Sequence, residues 1–126
     1  MKSYLLDSNI LIGFLNGDQK IADWIFLAKK ENNFLFISFI SSIELLSLKE
    51  LKDSDIEKIE KFLSSFHEVG ASQQMIKLSA ALRRKGLLTL GDAIIASTAI
   101  SRHFTLVTND KILKKKVEKF TEVISV

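Results

Sequence analysis

Hydrophobic positions along this chain follow two periods. Short unbroken apolar runs, at Ser3–Leu6 and at residues 34–37, are bounded by polar residues and predict strands buried on both faces. Residues 104–107 and 122–124 predict two more, and the less apolar His67–Val69 a fifth. Between these runs the apolar spacing lengthens to that of a helix. Ile21, Trp24, Ile25 and Ala28 form one stripe, and Ile56, Ile59, Leu63 and Phe66 form a second. Ser54 and Glu57, spaced as a capping box, mark the start of the second stripe. Met75, Leu78 and Leu82 form a third, stopped at Gly86. Strands alternating with helices predict parallel βαβ units, and so an α/β three-layer sandwich around a central, mainly parallel sheet. The segment "FISFISSIELLSL" (36–48) is apolar nearly all round, which predicts a helix buried in its own domain or against another chain.

Composition narrows the class further. The 126 residues include no proline and five glycines, with no linker, low-complexity tract or repeat, so one domain spanning 1–126 is expected. A 47% hydrophobic and 26% charged content is ordinary for a globular protein. No apolar stretch reaches the roughly 18 residues of a membrane span. The first apolar run breaks at Asp7, unlike a secretory signal, so a cytoplasmic location is expected. The absence of cysteine excludes disulfides and thiolate metal sites. A net charge of +3 is compatible with a nucleic-acid partner without requiring one.

Four acids stand close to predicted chain turns. Asp7 follows the first strand, and Glu44 lies about a turn into the helix after the second. Asp92 opens the helix "GDAIIASTAI", and Asp110 follows the strand "FTLV". Taken singly, each has a structural explanation. Asp7 and Asp110 suit helix N-caps, while Ser41 with Glu44 and Thr89 with Asp92 are spaced as capping boxes. Taken together, they gather at the edge of a parallel sheet where ligands bind. Glu44 and Asp92 are also embedded in apolar sequence ("SIELL", "GDAII"), where a merely solvated acid is out of place. Converging carboxylates repel, so the cluster calls for a cation. Oxygen ligands without cysteine point to Mg²⁺ or Mn²⁺, and such a site suits phosphoryl chemistry.

At these residues the chain resembles the PIN-domain ribonucleases, in particular the VapC-type toxins of toxin–antitoxin pairs. The family's "LDTN-hydrophobic" opening is matched by Leu6-Asp7-Ser8-Asn9-Ile10, and its helical glutamate by Ser42-Ile43-Glu44-Leu45. Asp92-Ala93-Ile94-Ile95-Ala96-Ser97 and Val107-Thr108-Asn109-Asp110 match the third and fourth acidic motifs. Ser8 replaces the usual threonine, and Ile112 and Leu113 stand where a phenylalanine often follows the fourth acid. The resemblance implies metal-dependent endoribonuclease activity, with Asp7, Glu44, Asp92 and Asp110 as catalytic residues holding Mg²⁺ or Mn²⁺. It implies that Ser8, Asn9 and Thr108 orient those carboxylates. It further implies an RNA substrate, a cognate antitoxin and a second copy of the chain as partners.

The remaining chemistry is less specific. "LRRKG" (82–86) and "KILKKKVEK" (111–119) read either as a phosphate-contacting rim or as solvated helix faces. Arg83, Arg84 and Lys85 lie nearer Asp92 in sequence and are the better candidates for RNA contact. Most of the nine phenylalanines read as core, and His67 and His103 lack partner constellations for catalysis. A HAD-type phosphatase needs an aspartate where Asn9 stands, and a phospho-receiver needs a lysine where "LVTND" ends in acid. The alternative that survives is a PIN-like RNA-binding or regulatory module with weak catalysis.

Overall fold

The computed structural model describes residues 1–86 and 88–126. Along the chain run β1 (Ser3–Leu6), α1 (Ser8–Leu15), α2 (Gln19–Lys30), β2 (Phe34–Ser38), α3 (Phe39–Leu46) and α4 (Asp53–Leu63). There follow β3 (His67–Val69), α5 (Gln73–Arg84), α6 (Leu90–Arg102), β4 (Thr105–Val107), α7 (Lys111–Val117) and β5 (Val123–Ile124). Among the described residues the strands form one sheet in the order β3-β2-β1-β4-β5, parallel throughout. From β1 the chain steps outward through β2 to β3, then returns past β1 to β4 and β5. That reversal leaves a topological switch point between β1 and β4, where a crevice opens beyond the strand C-termini.

Alternation along the strands divides the core between the two faces of the sheet. Leu5 and Leu106 pack on one side with Met75 and Leu82 of α5, Ile95 of α6 and Val117 of α7. Leu6, Ile37 and Val107 pack on the other with Ile10, Leu11, Ile25, Leu45 and Ile59. Each fully buried Leu or Ile contributes about 1.5–3 kcal/mol relative to exposure, so both faces hold the sheet firmly. This is the expected three-layer α/β sandwich, and the strands lie within a residue of their expected bounds.

Helix starts differ more than strands do. The cap of α4 is Lys52, with the Asp55 carboxylate accepting from its backbone N–H at 3.0 Å, so Ser54 and Glu57 lie inside the helix. The cap of α3 is Ser38, whose Oγ accepts from Ile40 N at 3.2 Å, and not the Ser41–Glu44 pair. Here β2 passes into helix without a loop, so the last strand residue takes the cap and Ser41 falls one turn further in. The same geometry places residues 36–38 of the long apolar segment in β2 and leaves Ile43 of α3 53% exposed. Phe66 and Phe104 are buried, but Phe26, Phe34 and Phe120 are exposed. Phe26 falls off the buried Ile21–Ile25–Ala28 face of its helix. His103, at φ 57°, caps the end of α6, and His67, on the edge strand, lies tilted beside Phe36 of β2 with ring centroids 5.5 Å apart.

Candidate functional site

The register of β1 and β4 sets Leu6 opposite Val107, so the next residue of each chain segment, Asp7 and Thr108, lies at the switch point. The backbone N–H of Asp7 still donates to Val107 O at 3.0 Å. Asp7 is the cap of α1, with Oδ1 accepting from Ser8 N at 2.8 Å. Its second oxygen, Oδ2, accepts from Thr108 Oγ1 at 2.7 Å. Thr108 in turn accepts from Asn9 Nδ2 at 3.3 Å and from Asp110 N at 3.1 Å. One buried hydroxyl thereby ties the first acidic turn to the fourth.

The other acids approach from neighbouring helices. Glu44 projects from α3, its Oε1 accepting from Ser8 Oγ at 3.1 Å. A Cβ built on Gly91 would stand 3.8 Å from that same oxygen, which puts Glu44 against the first turn of α6. Asp92 lies in that turn, its backbone N–H donating to the cap Thr89 Oγ1 at 3.2 Å. Asp110 caps α7, accepting from Ile112 N and Leu113 N at 3.0 and 3.1 Å. Capping and convergence are therefore compatible: Asp7 and Asp110 each cap their helix through one oxygen, and the second oxygen of Asp7 is held by Thr108.

Electrostatics links the four into one group. Burial raises the Asp7 carboxyl above its ordinary value of 3.8, against hydrogen bonds from Thr108 and Ser8, and the charges of Asp92 and Glu44 raise it further. Burial also raises Asp92, with the Asp110 charge adding to it; hydrogen bonding to Thr89 and the positive charge of Lys116 act against this rise. Asp7 is only 7% exposed, so its charge is held in a setting that disfavours it. Among the described residues, no three acidic or imidazole side chains are grouped tightly enough to hold a metal ion as they stand.

The basic stretches fall in two places. Arg83 and Arg84, at the end of α5, line an apolar groove of about 580 Å³ with Met75, Ile76, Leu90 and Ile94. Lys116, in the other basic stretch, is the cation whose charge reaches Asp92. Sequence distance does not reveal this reach, which follows from α7 starting at the switch point with Asp110 as its cap. Ser41 is a residue the sequence misreads. Read as a cap, it is instead fully buried and meets Ser8 Oγ at 2.8 Å. No sequence signal identifies it, because which serine near the strand end takes the cap depends on how β2 passes into α3.

A doubly wound parallel sheet with four interacting carboxylates around its switch point defines an α/β domain with an acidic centre. The chain belongs to the PIN domain family, which it matches over residues 4–119. Among solved structures it is similar to VapBC2 from Rickettsia felis bound to a DNA fragment from their promoter, at 28% identity and a TM-score of 0.83, covering 98% of each chain. A toxin-antitoxin complex from Klebsiella pneumoniae matches at 28% identity and a TM-score of 0.75, covering 96% of this chain and 95% of that one. DNA-bound VapBC from Salmonella typhimurium shares the fold, with 24% identity, a TM-score of 0.78 and coverage of 99% and 98%. No curated protein matches the chain.

Proposed function

We propose that the chain is a metal-dependent endoribonuclease, the toxin of a type II toxin–antitoxin pair. The observation that carries this reading is Asp7, a buried carboxylate at the sheet's switch point that feels the charges of both Glu44 and Asp92. A purely structural cap would gain nothing from two further acids beside it, since like charges destabilise one another. Membership of the PIN family and likeness to toxin–antitoxin complexes support the same reading.

The donor set fits a hard divalent cation. All four groups are carboxylates, and the chain has no thiol to favour a softer metal. Asp7, Glu44, Asp92 and Asp110 would hold Mg²⁺ or Mn²⁺, which when bound supplies a polarised phosphate oxygen and a more acidic water. Thr108 and Ser8 orient Asp7 and Glu44 through the bonds described above, and Asn9 steadies Thr108. The low exposure of Asp7 keeps bulk water from the first carboxylate.

RNA is the substrate class in this reading, and the positive side chains serve its phosphates. The charge of Lys116 reaches Asp92, and Arg83, Arg84 and Lys85 extend the basic surface. Replacing those last three together with alanine should flatten the dependence of RNA binding on salt, by about 0.7 in log–log slope for each lost single-strand phosphate contact. An unchanged slope in a binding titration would assign them to a solvated surface.

A second copy of the chain and an antitoxin that covers the acidic cleft complete the proposal. Brief expression in a bacterial host should arrest growth and create recurrent new RNA ends, and co-expressed antitoxin should suppress both. Mapping those ends also identifies the target RNA. Normal growth with an unaltered RNA population would count against the toxin role.

A further inference from the structure

Ser41 is a polar residue where the packing asks for none. It lies in the first turn of α3, is 0% exposed, and faces the apolar side of the helix that also buries Leu45. Alanine would fill the same space without a hydroxyl to satisfy, and an unbonded buried hydroxyl costs about 1–3 kcal/mol. Its partner is Ser8, the first residue of α1, at 2.8 Å between hydroxyl oxygens. Ser8 Oγ is at the same time 3.1 Å from Glu44 Oε1. Ser41 and Glu44 are three residues apart on one helix and so share a face. The three oxygens therefore line up from the core outward: Ser41, then Ser8, then the Glu44 carboxylate.

A hydroxyl carries a single proton. Ser8 Oγ lies within donor reach of two acceptors, Ser41 Oγ at 2.8 Å and Glu44 Oε1 at 3.1 Å, so its one proton is shared between them in a three-centre bond. The buried serine thus fixes the Ser8 hydroxyl between α1 and α3 and limits how the exposed Glu44 side chain can turn. We propose that Ser41 is a positioning residue for Glu44, acting through Ser8. This rests on the metal-site reading above, since Glu44 needs a fixed direction only if it has a ligand to hold. It does not restate that reading: Ser41 touches no acid and no substrate.

The test is Mn²⁺ binding by the purified chain, measured calorimetrically without RNA. Ser41→Ala should weaken Mn²⁺ by about tenfold, the low end of losses for residues supporting metal ligands. In a Glu44→Gln background the same replacement should change nothing further, because the residue it positions is already altered. A merely structural serine would shift the melting temperature equally in both backgrounds and leave the affinity alone. Unchanged affinity, or an equal loss with and without Glu44, overturns the proposal. If Ser41→Ala does not fold, Ser41→Thr keeps the hydroxyl: wild-type affinity supports the role, and weakened affinity overturns it. A wild-type chain that binds no Mn²⁺ instead refutes the metal-site reading itself, so the two failures are distinguishable.

Discussion

Asp7→Asn is expected to abolish RNA cleavage while leaving the metal-free protein as stable as before, or more so. Asparagine has the shape of aspartate, so Ser8 N can still donate to its carbonyl oxygen. The amide replaces the oxygen that now accepts from Thr108 Oγ1. What disappears is a negative charge in a nearly closed site, beside Asp92 and Glu44. Removing that charge relieves repulsion in the metal-free chain, and it also removes the ligand around which the centre is built. Loss of about 3–4 kcal/mol of transition-state stabilisation corresponds to a fall of roughly 10²–10³ in rate. The check is a paired measurement of cleavage rate and melting temperature. Asp7 as a helix cap alone predicts no loss of rate and, because asparagine caps a helix as well as aspartate does, little change in stability.

The second large effect concerns metal and pH together. Asp7 and Asp92 both have folded carboxyls raised above the ordinary value of 3.8, chiefly by burial. Each therefore binds its proton more tightly in the folded chain than in the unfolded one. Their contribution to stability is present below 3.8 and is lost as pH rises through the folded values above it. The metal-free protein should accordingly gain stability from these groups as pH falls from neutral toward 4. Glu122, held below its ordinary value by Thr105 and Lys2, works in the other direction but is fully exposed.

Added Mn²⁺ should reverse the trend, because it binds the ionised carboxylates. At a hundred times its dissociation constant it would stabilise by about 2.7 kcal/mol. For a chain of this size that is about 10 °C in melting temperature at neutral pH. The increment should shrink as pH falls through the raised values of Asp7 and Asp92, and in Asp7→Asn it should be largely absent. A melting temperature that ignores Mn²⁺ at every pH would leave the acids without their cation.

Much of the architecture can be read along the chain because its strands are buried on both faces. Such strands are unbroken apolar runs, and polar residues such as Asp7 mark where they stop. Ser3–Leu6 appears at its expected bounds for this reason, whereas the edge strand His67–Val69, with His67 and Glu68 exposed, matches its expected bounds without being such a run. Helix starts are harder, since several polar residues near a strand end can act as cap. Ser38 and Lys52 take that place because of how β2 and the loop before α4 deliver the chain, which local spacing does not encode.

The acids themselves are visible as residues, but their meeting depends on strand order. Asp7 and Thr108 are 101 residues apart and become neighbours only because β4 inserts beside β1. The same holds for charge. Arg83 is nine positions from Asp92 yet lines the groove between α5 and α6, whereas Lys116 comes from α7 and its field reaches the acid. Six of the nine phenylalanines lie in or against the core as expected, and Phe26, Phe34 and Phe120 do not: residue type records a preference for burial, and the face on which a residue falls decides it.

The central claim is that the four carboxylates form a cation-dependent nuclease centre. The most direct measurement is cleavage of a labelled single-stranded RNA by the purified chain, first after EDTA treatment and then after Mn²⁺ is restored. Cleavage should stop with chelation and return with the metal, with Asp7→Asn inactive throughout. Cleavage that persists in EDTA, or that Asp7→Asn retains in full, would contradict it.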